Sequence, residues 1–278
     1  MTVVGPTMRR RQLGGQLRTL RESAGVRMED AAAALDCARS RISHIETGRN
    51  AVRKPDLEVL LRLYGALDRL EALEELRREG TKRGWWSTYR LPDWLQAYIG
   101  LEADAVTVRT FALELVPGLL QTEAYARAVH FGPQDSGDVE RRVAARMQRA
   151  NRLTAPDPLA LSAVISEGAL MRTLACQEVA SEQLKQLEAM AKLPSVALHV
   201  LPLDRGLHRS MAGSFSVLSF APGVSADIAY QEYAIGAHLV DEQDLVQQLS
   251  SLYDELRSQA LGRDESLGLL SELTQRTK

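Results

Sequence analysis

Between Arg39 and Arg49 the chain places Arg39, Ser40, Ser43 and His44 at steps that bring them to one side of a helix, with Ile42 and Ile45 on the other. The four polar side chains offer hydrogen bonds of the kind that read base edges, and one good bidentate contact is worth about 1–3 kcal/mol of discrimination. Around them stand Arg27, Arg41, Arg49, Arg53 and Lys54, cations suited to phosphate oxygens. The chemistry predicted is recognition of double-stranded DNA, with the first four residues on bases and the five cations on the backbone. A helical protein-docking module is the plain alternative for the whole segment, and a solvated basic loop the plain alternative for Arg49, Arg53 and Lys54.

Bond-making chemistry finds no comparable signature. GxSxG, GxxxxGK[ST], HExxH and GxGxxG are all absent. His199, His208 and His238 lack a spacing that recommends a metal, so a non-enzyme without cofactor or metal is expected. Glu167 and Glu232 adjoin strand-like segments and with Tyr230 could form the polar end of a pocket. Paired carboxylates do acid-base work only when held close together, which spacing does not show.

The elements that must position the polar face are short helices. Leu13, Leu17, Leu20 and Ala24 recur at helical steps and Gly25 ends the run. Met28 to Leu35 is an alanine-rich helix candidate, separated by Asp36-Cys37-Ala38 from the segment that Gly48 closes, the arrangement of a helix-turn-helix unit. Pro55 is placed to open a fourth helix carrying Leu57, Leu60, Leu61, Tyr64 and Leu67, and Leu70 to Arg78 forms a fifth.

Residues 13–67 resemble the DNA-binding domain of Xre-type repressors through LGGQLRTLRESAGVRMEDAAAALDCARSRISHIETGRN and the later DLEVLLRLYGAL. The resemblance implies an all-α, five-helix, lambda-repressor-like domain in which Arg21 pairs with Glu46 and the basic loop after the third helix runs along the DNA backbone. Ala38 stands where the family often has a serine cap, and Arg27-Met28 where it often has a cap and a phosphate-binding glutamine. Arg27 would then act on phosphate electrostatically.

The length of 278 residues allows two domains, and 45% apolar with 25% charged residues is ordinary for a globular protein. The net charge of −2 hides an asymmetry, because residues 1–54 hold eleven Arg or Lys against five Asp or Glu. A basic head on an acidic body suits a phosphate-binding module. Two distant cysteines suggest reduced thiols, and neither a signal peptide nor a membrane-length apolar run is found, so a cytoplasmic protein without a membrane partner is expected.

The expected boundaries are a disordered segment over 1–8, the helix-turn-helix domain over 9–80, a connector over 81–92 and a mixed α/β regulatory or partner-binding domain over 93–278. Trp85 and Trp86 should pin the connector, with ligand stacking as a minority role. Strands are predicted over 106–115, 159–166, 196–203, 213–220 and 226–233. Helices are predicted through Val129, over 138–153, 167–174 and 179–193, along the Leu245, Leu249, Leu252 and Leu256 stripe, and over 267–273. The helix over 138–153 carries Arg141, Arg142, Arg146, Arg149 and Arg152. A solvated face is the plain reading of that run, and a surface for an acidic partner or for DNA backbone the sharper one.

Asp93-Trp94-Leu95, Pro117-Gly118-Leu119-Leu120-Gln121-Thr122-Glu123-Ala124-Tyr125-Ala126, Glu140-Arg141-Arg142-Val143 and Tyr230-Gln231-Glu232 resemble an actinobacterial group of regulators similar to WhiJ. The resemblance implies a transcription regulator working with a short BldB-like companion protein, in an antitoxin-like pairing or a developmental switch. A homodimer is expected because helix-turn-helix proteins commonly read two half-sites. The other readings are a regulator with a small-molecule or peptide pocket in its second domain, and an interaction adaptor that does not bind DNA.

Overall fold

The computed structural model describes residues 5–129, 136–234 and 236–277. The chain divides into two compact units, one running to Thr88 and including Pro222–Ser225, the other comprising Tyr89–Ala221 and the chain from Ala226 onward. A helical first unit followed by a mixed α/β unit is the expected fold class. No helix among the described residues is long and apolar enough to cross a membrane.

The first unit contains α1 (Pro6–Ser23), α2 (Met28–Ala34), α3 (Arg39–Glu46), α4 (Lys54–Leu63) and α5 (Leu70–Gly80). Pro6 opens α1, since its missing N–H lies where the first helical turn has no acceptor to offer. The segment 1–8, expected to be disordered, is corrected in its second half: residues 6–8 are helical and Met8 is fully buried. Leu13, Leu17, Ile42, Ile45, Leu57, Leu60 and Leu73 build one apolar core. Ala24, expected on the inward face of α1, is exposed. Each buried aliphatic side chain contributes roughly 1.5–3 kcal/mol, so this core outweighs the nucleation cost that leaves helices as short as α2 and α3 marginal alone.

The second unit contains α6 (Asp93–Asp104), α7 (Glu123–Val129), α8 (Ser136–Ala150), α9 (Glu167–Ala175), α10 (Gln177–Ala191), α11 (Gln243–Gln259) and α12 (Arg263–Gln275). Its strands are β1 (Thr107–Ala112), β2 (Ala160–Ser166), β3 (Val196–Leu201), β4 (Phe215–Ser219), β5 (Ile228–Tyr233) and β6 (Gly236–Val240). They form a mixed sheet in the order β3-β2-β1-β4-β5-β6, parallel across β3, β2 and β1 and antiparallel from β1 outward through β6. β2 and β3 are mostly apolar because both their faces are covered.

Three expectations are corrected here. The first strand ends at Ala112, and Glu114 and Leu115 are exposed beyond it as the chain turns toward Pro117. Of the expected α11 stripe, Leu249, Leu252 and Leu256 pack against the core beside Val246 and Tyr253, whereas Leu245 points outward at 41% exposure. Tyr253 anchors this face, its hydroxyl donating to Ser162 Oγ at 2.7 Å. Third, α6 and β6 were not foreseen: α6 opens with Asp93 in its first turn, where a carboxylate favours the helix dipole, and β6 is a short edge strand with weak alternation.

His199 on β3 is buried, with Nδ1 2.9 Å from the carbonyl oxygen of Leu261. Burial holds this imidazole below its ordinary titration point, against the pull of that hydrogen bond, and Arg257 and Arg263 add to the depression. Below about pH 6.5 an unfolded histidine takes up a proton that the folded one resists, so this contribution is intact above that pH and is lost as pH falls toward the folded value. Melting between about pH 7.5 and about pH 5.5 should show a falling midpoint in the native chain and a shallower fall in His199→Gln; equal slopes would clear His199 of the effect.

Candidate nucleic-acid interface

The exposed face of α3 is presented by a short bihelical unit. Asp30 in the first turn of α2 accepts the backbone N–H of Arg27 at 3.3 Å and its guanidinium at 3.0 Å, which closes the start of α2 without a serine or threonine cap. The hydrogen bond and charge of Arg27 hold the Asp30 carboxyl below the usual carboxylate range. Asp36 takes the left-handed conformation that the turn requires, at φ 48°. Ala38 precedes α3 and supplies no side-chain cap.

Arg21 and Glu46 lock α1 to the end of α3. Arg21 Nε and Nη2 donate to the two oxygens of Glu46 at 2.6 and 3.0 Å, and Nη1 donates to the Val26 carbonyl at 3.1 Å. Both side chains are buried, so the pair is bidentate and shielded from water. The hydrogen bond to Glu46 raises the pKa of Arg21 despite the opposing effect of burial.

Two glycines let the backbones approach. A Cβ on Gly14 of α1 would stand 2.3 Å from the Ile45 carbonyl oxygen and 2.5 Å from that of Glu46. Gly48 ends α3 at φ +70°, and a Cβ there would meet the Arg11 backbone at 2.7 Å. Gly48 was legible as a helix stop. Gly14 was not singled out, and a glycine in mid-helix was the signal available.

With Ile42 and Ile45 buried, Arg39 and Ser40 are exposed and Ser43 and His44 are half-buried on the opposite side of α3. Arg39 Nε lies 3.3 Å from Glu29 Oε1 in an exposed pair. Arg41 and Arg53 converge on Asp56, with Arg41 Nη2 at 2.5 Å from Oδ2 and Arg53 reaching both oxygens at 3.1 Å. Asp56 is buried in the first turn of α4, a residue that sequence reasoning missed, and it orients two of the expected phosphate contacts. Arg49 is exposed in the loop between α3 and α4, and Lys54 Nζ lies 4.0 Å from Glu58 Oε1.

A model described as a helix-turn-helix domain matches residues 12–76. A second, described as a domain of unknown function (DUF5753), matches residues 95–272, more than half of the chain. The chain belongs to the DUF5753 family. No curated protein and no solved structure matches it. The helix-turn-helix match covers most of α1, all of α2 to α4 and most of α5, and it supports a DNA-binding regulator.

The remaining expected site residues divide between the units. Trp85 and Trp86 meet edge to face in the first unit, 5.8 Å between centroids, and Trp86 is buried. Glu167 opens α9 and accepts the Leu203 N–H at 2.9 Å. Tyr230 on β5 donates to Glu232 at 3.1 Å, and both line a cavity with Arg142, Arg146 and Arg149 of α8. The solvated-face reading of α8 is corrected in part. Arg149 is buried on Glu102, with both hydrogen bonds at 2.7 Å, and Arg152 donates to the carbonyls of Ala103 and Ala105. The guanidiniums satisfy groups at the end of α6 that would otherwise be unpaired away from water. Among the described residues no cluster of three or more His, Cys, Asp or Glu could hold a metal.

Proposed function

We propose that this protein is a sequence-specific, non-enzymatic transcription regulator that reads DNA with the outer face of α3. The carrying observation is that Ile42, Ile45 and the Arg21–Glu46 pair hold α3 from within while Arg39, Ser40, Ser43 and His44 remain on its other side. In this reading those four contact base edges, and Arg27, Arg41, Arg49, Arg53 and Lys54 contact phosphates. Asp56 sets the angle of Arg41 and Arg53, and Glu29 must release Arg39 when a base takes its place. The chain acts as a homodimer, since two recognition helices read half-sites about 34 Å apart.

The test begins by sequencing the DNA that the purified protein retains, then measures affinity for that operator and for unrelated duplex across a salt series. Arg39→Ala is expected to lose about 1–3 kcal/mol on the operator with little change on unrelated DNA. Lys54→Ala is expected to weaken both alike and reduce the salt slope by about one charge. Equal loss of selectivity in the two variants would sink the assignment, and absence of salt-sensitive binding to any duplex would favour the adaptor without DNA binding.

The regulatory part of the reading assigns the second unit to a short BldB-like companion in an antitoxin-like or developmental pairing, supported by the resemblance of residues 117–126 and 140–143. Co-purification of a small protein encoded beside this one, with a change in operator affinity on adding it, is the expected result. A second reading, in which the second unit answers to a small molecule, is favoured by a cavity of about 560 Å³ that α6, α8 and the sheet line together.

A further inference from the structure

That cavity lies on the face of the sheet opposite α11. Its floor includes Val108, Thr110, Leu161 and Ser216, and its walls include Trp94 and Tyr98 of α6 and Arg142, Arg146 and Arg149 of α8. The three arginines follow each other at steps of four and three, so one face of α8 brings their guanidiniums to the same recess. The volume is that of a site for a metabolite-sized molecule.

Most polar groups around the recess are already satisfied. Arg149 gives two hydrogen bonds to Glu102 and lies 5.2 Å from the centre of the Tyr98 ring. Tyr230 bonds Glu232, and Ser216 donates to Thr110, which donates to the Phe215 carbonyl. Arg146 differs. Its hydrogen bond goes to the neutral amide oxygen of Gln121 at 2.5 Å, and among the described residues no carboxylate lies within ion-pair distance of it. Burial, and next the neighbouring Arg149, push the Arg146 guanidinium down to about 10, against the weaker pull of the more distant Glu232 and Glu102. A cation held this way, on the wall of an open recess, lacks the counter-charge that protein interiors ordinarily supply.

Beside it stands a flat apolar surface. Tyr98 and Tyr230 stack with centroids 4.0 Å apart and planes 27° apart, and both line the recess. We propose that this recess binds a small organic anion, its carboxylate or phosphate received by Arg146 with Arg142, and its planar or apolar body laid against Tyr98, Tyr230 and Trp94. The proposal deepens the sensor reading by naming the ligand class, and binding itself does not depend on whether the first unit contacts DNA. Arg146 is the specificity residue and Arg149, committed to Glu102, is its structural support.

The full chain is titrated with 1-naphthoate, with its neutral counterpart 1-naphthamide and with phenyl phosphate, by calorimetry and by melting. The expected result is saturable binding of one anion per chain, with 1-naphthoate or phenyl phosphate at least tenfold tighter than the amide. Arg146→Gln should remove that preference by weakening the acid at least tenfold more than the amide, while its melting midpoint without ligand stays level or rises, as for a residue held ready for a ligand. Equal affinity for acid and amide overturns the ligand class while leaving a neutral-ligand sensor standing. No saturable binding by any of the three overturns the site, and a midpoint in Arg146→Gln that drops as far as in Arg149→Gln makes Arg146 structural and overturns its role.

Discussion

Replacing Glu46 with alanine is expected to destabilise the helix-turn-helix unit by about 3–5 kcal/mol, because it strands the buried Arg21 guanidinium without its counter-charge. For a domain of this size that corresponds to a fall of roughly 15 °C or more in the melting midpoint. The loss should appear as faster hydrogen exchange along α1 and α3, and operator binding should fail at temperatures where the native chain still binds. Removing both partners, as Arg21→Met with Glu46→Leu, should recover most of the stability, since an apolar pair of similar volume needs no counter-charge. The native and double-variant proteins should then differ mainly in how firmly the last turn of α3 is held. A Glu46→Ala midpoint within about 2 °C of the native value would mean that water reaches Arg21, contrary to its burial.

Replacing Glu102 with alanine is expected to cost the second unit about 3–5 kcal/mol by the same mechanism, since Glu102 and Arg149 are both buried and bonded at 2.7 Å through two contacts. In a larger unit this is a midpoint shift of roughly 10 °C. High salt should change the effect little, because a pair away from water is poorly screened. The consequence reaches the cavity. With Glu102 gone, Arg149 adds a second uncompensated cation beside Arg146, so anionic probes should raise the melting midpoint of this variant more than that of the native chain. A variant that melts like the native protein and shows no added stabilisation by phenyl phosphate would contradict the account of the pair.

The α1 to α5 pattern was legible because each helix announces itself within a dozen residues: apolar steps of three and four, Gly25 and Gly48 as stops, Pro55 as a start. The polar face of α3 could be named for the same reason, since once Ile42 and Ile45 point inward the other side of the helix follows from its period. The Arg21–Glu46 pair came from resemblance, and Asp56, which gathers Arg41 and Arg53, was overlooked although it stands three residues from Arg53. In the second unit the strands of the sheet were found except β6, whose short edge position leaves little alternation to read.

Sequence by itself determined what is local: the order of helices and strands, the basic head, and the arginines that share a face of α8. Only the tertiary structure decided which of those arginines is neutralised and which is not, because Glu102 lies 47 residues from Arg149 and nothing in the helical repeat separates a solvated guanidinium from a buried one. It also decided that Gly14 must lack a side chain, and that α11 turns Val246 rather than Leu245 inward. Period selects a face of a helix. What that face meets depends on chain segments far away in sequence, and the desolvation and close packing that give a residue its chemistry exist only once those segments have come together.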